Sequence, residues 1–348
     1  MSDADKTLAE LFEERPRGAR NGTRDLRGNR NRRSSRDVAA GVARRSPEVM
    51  VKITGHTKGP AHLKSHLEYI SREDDAKKPS VVLENHRGEK IFGKAGIAAL
   101  RDEWMADAGR RRKNTRDTTS VVLSMPPGTD REKVTDAVRA FASRRFAHNY
   151  QYVFAQHDDE AHAHVHLTIK NFGYDGRRLQ VRRGDPQAWR EEFAEELRER
   201  GVDAEATPRA VRGVVRKPTK QAVVQMRRRG VTPRTDRAKV AEAVAEVDAK
   251  RRGQKPPDRP WEDRIKERQT KVRKTWLTAA KQSAIAGDRK LADTLAQFVK
   301  DMPPLETERH KLERQVVGQV SRGAAKDAPS RSTGRKGRDR GQQEQDER

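Results

Sequence analysis

The sequence predicts an α+β fold: a mostly antiparallel central sheet with helices packed on one face, a basic helical C-terminal extension and disordered termini. Three observations lead there. Residues 49–56, 118–125 and 150–170 carry runs rich in β-branched and alternating side chains; amphipathic stripes at helical spacing lie between and after them; and Pro and Gly punctuate the junctions.

Taken in order, residues 15–45 are Arg, Gly, Asn and Ser with almost nothing to bury, and are expected to be disordered. Order should begin near Val49, where VMVKITGH reads as a strand. GPAHLKSHLEYISRE then reads as a helix with Pro60 in its first turn. Leu63, Leu67 and Ile70 form its apolar stripe, and His62, His66 and Tyr69 form an adjacent one. Lys94–Arg110 repeats the pattern through Ile97, Leu100, Trp104 and Ala108. TTSVVLSM (118–125) reads as a strand stopped by Pro126-Pro127-Gly128. A helix capped by Thr129 or Asp130 should follow, burying Val134, Val138 and Phe141. Tyr150–His157 and His162–Lys170 read as a hairpin, and Arg177–Arg182 as a further strand after the Gly173–Gly176 turn. Asp185 is expected to cap a helix with Pro186 at its first position, buried through Trp189, Phe193 and Leu197 and ending at Gly201.

These elements set the expected domains: a disordered Arg-rich arm over 1–46, a compact catalytic unit over 47–216, a basic helical extension over 217–320 and a disordered tail over 321–348. The extension should be helical over Asp236–Arg252 and Trp261–Lys300.

Lys and Arg number 77 against 52 Asp and Glu, a surplus of 25. Such a surplus favours partners with dense negative charge, nucleic acid above all. Charged residues make up 37% of the chain and hydrophobic ones 32%, so only part of it can build a core. The absence of Cys excludes disulfides, thiolate metal sites and cysteine nucleophiles. MSDADKTLAEL lacks the basic and apolar regions of a signal peptide, and no run approaches a membrane span, so a cytoplasmic location without membrane insertion is expected.

The most informative stretch is the hairpin. Alternate residues of a strand share a face, so His162, His164, His166 and Thr168 point one way while Ala163, Val165, Leu167 and Ile169 point the other. The first strand brings His157 to that row, and four of the ten histidines thus fall within ten residues. Neutral imidazoles suit a divalent transition-series metal, and three of them leave positions open for substrate oxygens. A polar, solvated hairpin face and a closed structural metal site are the competing readings. Spacing leaves the ligand set open, since His162 can replace His166. Asp159 can orient an imidazole by accepting its second N–H, or serve only the turn.

A metal on a basic scaffold suggests phosphoryl transfer. Tyr69 stands out among four tyrosines because it shares a helix stripe with His62 and His66, although a packed amphipathic tyrosine has the same signature. HLKSHLEYISR followed by HDDEAHAHVHL resembles the first and third motifs of VirD2-like conjugative relaxases, in the MobA/TraI superfamily of HUH endonucleases. The His164-Val165-His166 triplet matches the pair that names the HUH class. The resemblance covers about Val49–Arg216 and implies the relaxase palm fold. It implies that Tyr69 attacks one phosphodiester of single-stranded DNA, that His157, His164 and His166 hold a divalent ion such as Mg²⁺ or Mn²⁺, and that Asp159 supports them. The chain departs from the usual pattern at Ala163, where relatives carry proline.

The implied reaction leaves a 5′-phosphotyrosyl adduct and a free 3′ hydroxyl at the transfer origin of a plasmid or mobile element, and can be reversed to reseal the strand. Arg72, Arg177, Arg178, Arg182 and Arg183, with Arg209, Arg212 and Arg216, are candidates for phosphate contacts, or else a solvated basic surface. Implied partners are relaxosome accessory proteins and a type IV secretion coupling protein, with export alongside DNA into a recipient cell. Two alternatives stand beside this: another HUH enzyme (a replication initiator or transposase), in which the tyrosine follows the histidines, and a non-enzymatic basic DNA-binding protein with a structural metal hairpin.

Overall fold

The structure is a computed structural model that describes residues 3–13, 33–106, 112, 114–214, 219–255 and 257–326. Contacts divide the chain into two compact units, Met1–Val214 with Arg268–Pro303, and Val215–Glu267 with Pro304–Arg348.

In the first unit, helices α1 (Asp3–Glu13) and α2 (Ser35–Ala43) precede strand β1 (Met50–Gly55). Helices α1 and α2 both lie within the 1–46 span expected to be a disordered arm; α1 buries Leu8 and Leu11, and α2 buries Ala39 and Val42 and is capped by the Ser34 side chain. Residues 1–2 and 14–32 of that arm lie outside the described residues. Helix α3 (Pro60–Ser71) follows, then the short strands β2 (Leu83–Asn85) and β3 (Lys90–Ile91), and α4 (Gly93–Ala106). Next come β4 (Thr118–Ser124), α5 (Arg131–Phe146), β5 (Tyr152–His157), β6 (His164–Lys170) and α6 (Asp185–Glu199). The six strands form one antiparallel sheet in the order β1-β4-β6-β5-β2-β3.

Helices cover both faces of the sheet, not one. Val165, Leu167 and Ile169 of β6 join Phe141 and Phe146 of α5 and Trp189, Phe193 and Leu197 of α6 in one core. On the other face Val153 and Ala155 of β5 meet Leu63, Leu67 and Ile70 of α3 and Ile97, Leu100 and Trp104 of α4. Two layers arise because strand alternation makes β5 apolar on both sides.

The expected strand over 177–182 does not form. β6 is already paired on both sides, by β4 and β5, and offers no free edge. The segment folds back past the end of the sheet, joined to it by the single Phe172–Arg178 bridge. At α6 the N-cap is Gly184; the Asp185 carboxylate accepts instead from the Arg182 N–H at 2.6 Å, fastening the preceding loop. Asp130 is the cap of α5, accepting from the Glu132 and Lys133 N–H groups.

Beyond α6 come α7 (Gln221–Arg228), α8 (Arg234–Arg251), α9 (Pro260–Ile285), α10 (Arg289–Lys300) and α11 (Glu308–Lys326). The stretch read as helical over Trp261–Lys300 breaks at Gly287 (φ 86°), and Asp288 caps α10. Within the first unit Trp276 is fully buried; it packs on Phe12 and Phe298 and donates its indole N–H to the Val211 carbonyl at 2.8 Å. The compact unit therefore includes Arg268–Pro303, which a boundary near Arg216 leaves out. In the second unit Arg309 pairs with Glu246, Glu262 and Glu313. The tail from Ser321 begins inside α11, and residues 327–348 lie outside the described residues.

Candidate functional site

Hairpin register places His157 directly opposite His164, with His166 two residues further along the same face. Ligand nitrogens of these three lie within 4.8 Å of one another, the one such cluster among the described residues. His162 precedes β6 and stacks on His164, with ring centroids 5.0 Å apart, outside the triad.

Backbone carbonyls set two of the rings. His157 donates its Nε2–H to the Ile70 carbonyl at 2.7 Å, so its lone pair is on Nδ1. His164 donates its Nδ1–H to the His162 carbonyl at 3.2 Å, leaving the lone pair on Nε2. Burial, the largest cause in each case, pushes all three imidazoles below their ordinary value of 6.5, His166 to about 3. At neutral pH the triad is uncharged, the form in which imidazole binds a metal. Lone pairs, neutral rings and carbonyl-fixed tautomers fit a divalent ion, and nitrogen ligands alone favour a transition-series one.

Tyr69 reaches this cluster because α3 docks its Leu63, Leu67 and Ile70 stripe onto β5, which turns the neighbouring stripe toward the histidine face. Its ring meets His166 edge to face at 6.0 Å and is 45% exposed, so the phenol is open to a macromolecular substrate. Arg72 lies against the Tyr69 ring, its Cζ 5.5 Å from the centroid. Its Nη2 donates to Asp159 Oδ2 at 2.6 Å and to His157 Nδ1 at 2.8 Å. Lys78 donates to the same Asp159 oxygen at 2.8 Å, and Asp159 Oδ1 stands 3.9 Å from His164 Nε2. The Lys78 hydrogen bond, with the Arg72 and Lys78 charges, holds the Asp159 carboxyl down at about 2.

Several supports were not anticipated. His66 Nε2 lies 2.9 Å from both Ser120 Oγ on β4 and Thr168 Oγ1 on β6, pinning α3 to the sheet beside the triad. Thr168 shares the histidine face, which was the available signal. Arg131, the first residue of α5, donates to the His157 and Glu160 carbonyls and to Asp158, bracing the hairpin loop. Neither Arg131 nor Lys78 carries a motif that would mark it.

The remaining arginines sit elsewhere. Arg177 and Arg178 follow the far end of β6, about 20 Å along the strand from His164. Arg178 covers the Phe172 ring at 5.5 Å, while Arg177, Arg182 and Arg183 are exposed. Arg209 is exposed, Arg212 is ion-paired with Glu48 at 3.2 Å, and Arg216 lies outside the described residues. Among the described residues no helix is long and apolar enough to cross a membrane.

Residues 69–202 match the family model described as "Relaxase: MobA/VirD2-like, nuclease domain". The chain is similar to the T-DNA border endonuclease VirD2 of Rhizobium radiobacter, 28% identical over 194 residues, 49% of this chain and 44% of that protein. It is also similar to the T-DNA border endonuclease VirD2 of Rhizobium rhizogenes, 26% identical over 239 residues, 62% of this chain and 53% of that one. The match thus spans about half the length of these curated relatives.

Proposed function

We propose that this chain, whose residues 69–202 match the model of a MobA/VirD2-like relaxase nuclease domain, nicks single-stranded DNA at the transfer origin of a plasmid or mobile element and holds the cut strand covalently. The observation that carries this reading is the Tyr69 ring seated against His166, within the one histidine triad among the described residues.

Tyr69 Oη attacks the scissile phosphorus. The Oη–P bond forms, the bond to the 3′ oxygen breaks, the phenol proton is released and the 3′ oxygen leaves as a hydroxyl. His157, His164 and His166 would hold a divalent ion, Mg²⁺ or Mn²⁺, with Mn²⁺ the better match to three nitrogen ligands, and the bound ion would supply positive charge to the non-bridging phosphate oxygens. Asp159, facing His164 and bonded to Arg72 and Lys78, keeps the cationic side chains and the imidazoles in one arrangement. Arg72, next to the phenol, is placed to meet a phosphate there. The phosphotyrosine keeps the phosphodiester energy, so a returning 3′ hydroxyl can reseal the strand without a nucleotide cofactor. Relaxosome proteins and a type IV secretion coupling protein are the partners this reading implies, with action in the cytoplasm and export alongside DNA.

Incubation with single-stranded DNA of the cognate origin and Mn²⁺ should give an adduct that survives denaturing electrophoresis and maps to Tyr69. An adduct of equal yield from Tyr69→Phe would remove that residue from the role.

A further inference from the structure

Arg72 stands where α3 ends, with φ 62° and ψ 17°, left-handed values that favour glycine. Its N–H satisfies the Glu68 and Tyr69 carbonyls, and the Glu73 N–H returns to Glu68 at 2.9 Å. Such values are uncommon for a residue with a side chain, and at position 72 that side chain supplies contacts that glycine would not.

Its side chain is 11% exposed and points into the histidine cluster. Nη2 donates to His157 Nδ1 at 2.8 Å. That nitrogen carries the one lone pair His157 can offer, since Nε2–H is given to Ile70 at 2.7 Å. A guanidinium N–H and a metal cation cannot share one lone pair, and their like charges repel at that separation.

Resting on the reading of the triad as a metal site, we propose that Arg72 is a built-in competitor for that site. Its guanidinium and an ion call on the same His157 nitrogen. Loading requires Nη2 to release His157, and the neighbouring Asp159 gives the displaced guanidinium a place to stay. Affinity for the ion is therefore set below what three neutral imidazoles would give. Lys78 also pairs with Asp159, so removing Arg72 does not strand that carboxylate.

The test is a Mn²⁺ titration of the full chain without DNA, following free Mn²⁺ by electron paramagnetic resonance. Arg72→Gly removes the guanidinium and suits the left-handed backbone; Arg72→Asn is a second variant that tolerates it. Both should bind Mn²⁺ about tenfold more tightly than the parent chain, the worth of one charged hydrogen bond. His166→Ala in the Arg72→Gly background should abolish the gain. A merely structural Arg72 predicts the opposite sign, because loosening the end of α3 would weaken the site. Equal or weaker binding in both variants overturns the proposal and leaves the metal site standing. No binding by any of the proteins overturns the proposal and the metal reading together.

Discussion

At the scale of single residues, the histidines are tuned by where the helix sits. His66 is pushed to about 4 by burial, with the nearby His62 adding to it, and His166 is pushed to about 3. In the unfolded chain each takes a proton near 6.5, whereas the folded chain cannot until well below that. The unfolded state binds more protons across this interval, so stability is present above 6.5 and is lost as pH falls toward 4. For His66 the gap bounds the loss at roughly 3 kcal/mol. Urea midpoints measured in EDTA between pH 7 and 4.5 should decline, and His66→Asn should flatten the decline. An unchanged slope in that variant would show that another group titrates there. The window stops above the range in which Asp159, held at about 2, contributes in the same direction.

At the scale of elements, α3 is the part that brings Tyr69, the proposed nucleophile, to the hairpin that carries the histidine triad. Its hold on the sheet is Leu63, Leu67 and Ile70, all fully buried. Leu67→Ala should destabilise the protein by about 2–5 kcal/mol, the usual cost of an apolar truncation in a closed core. Chemical denaturation measures this, and a loss below about 1 kcal/mol would mean that α3 is docked by other contacts. The same scale shows what the sequence could say. Strand alternation displayed the histidine row and the apolar stripe displayed α3, because each pattern lies within one element. LEN and KI, the strands β2 and β3, are too short to show a period. RRLQVR looks like a strand but cannot pair beside β6, whose two sides are taken by β4 and β5, a fact its own residues do not carry. The contacts of Lys78, Arg72 and Arg131 join segments far apart in sequence, so composition could not reveal them.

At the scale of the whole molecule, the two cores flanking the sheet contain no residue before Val49 or after Ala206. Helices α1, α2, α9 and α10 build a separate cluster around Trp276, to which the catalytic segment gives Val211. A fragment of residues 47–216 is expected to fold and to nick single-stranded DNA, checked by circular dichroism and a cleavage assay. Lacking the Arg-rich arm and the basic extension, it should bind DNA more weakly, with a shallower dependence of log affinity on log salt. An insoluble or inactive fragment would show that the Trp276 cluster is required to complete the sheet.

The hairpin that carries the triad has a consequence for assembly. His157, His164 and His166 lie within ten residues, so an ion bound there closes only a short loop and restrains little of the unfolded chain's entropy. Its stabilising effect is then mass action alone, about 2.7 kcal/mol at a roughly hundredfold excess over the dissociation constant. Tyr69 arrives from 88 residues away (157 − 69), and its approach depends on long-range docking that is slow to form. The two halves of the proposed site thus follow different clocks: histidines gathered by one hairpin, and a tyrosine delivered only once the fold closes. An emerging chain would line up its histidine row before Tyr69 could reach it, and the row would be completed only when α3 docks and the Ile70 carbonyl meets His157.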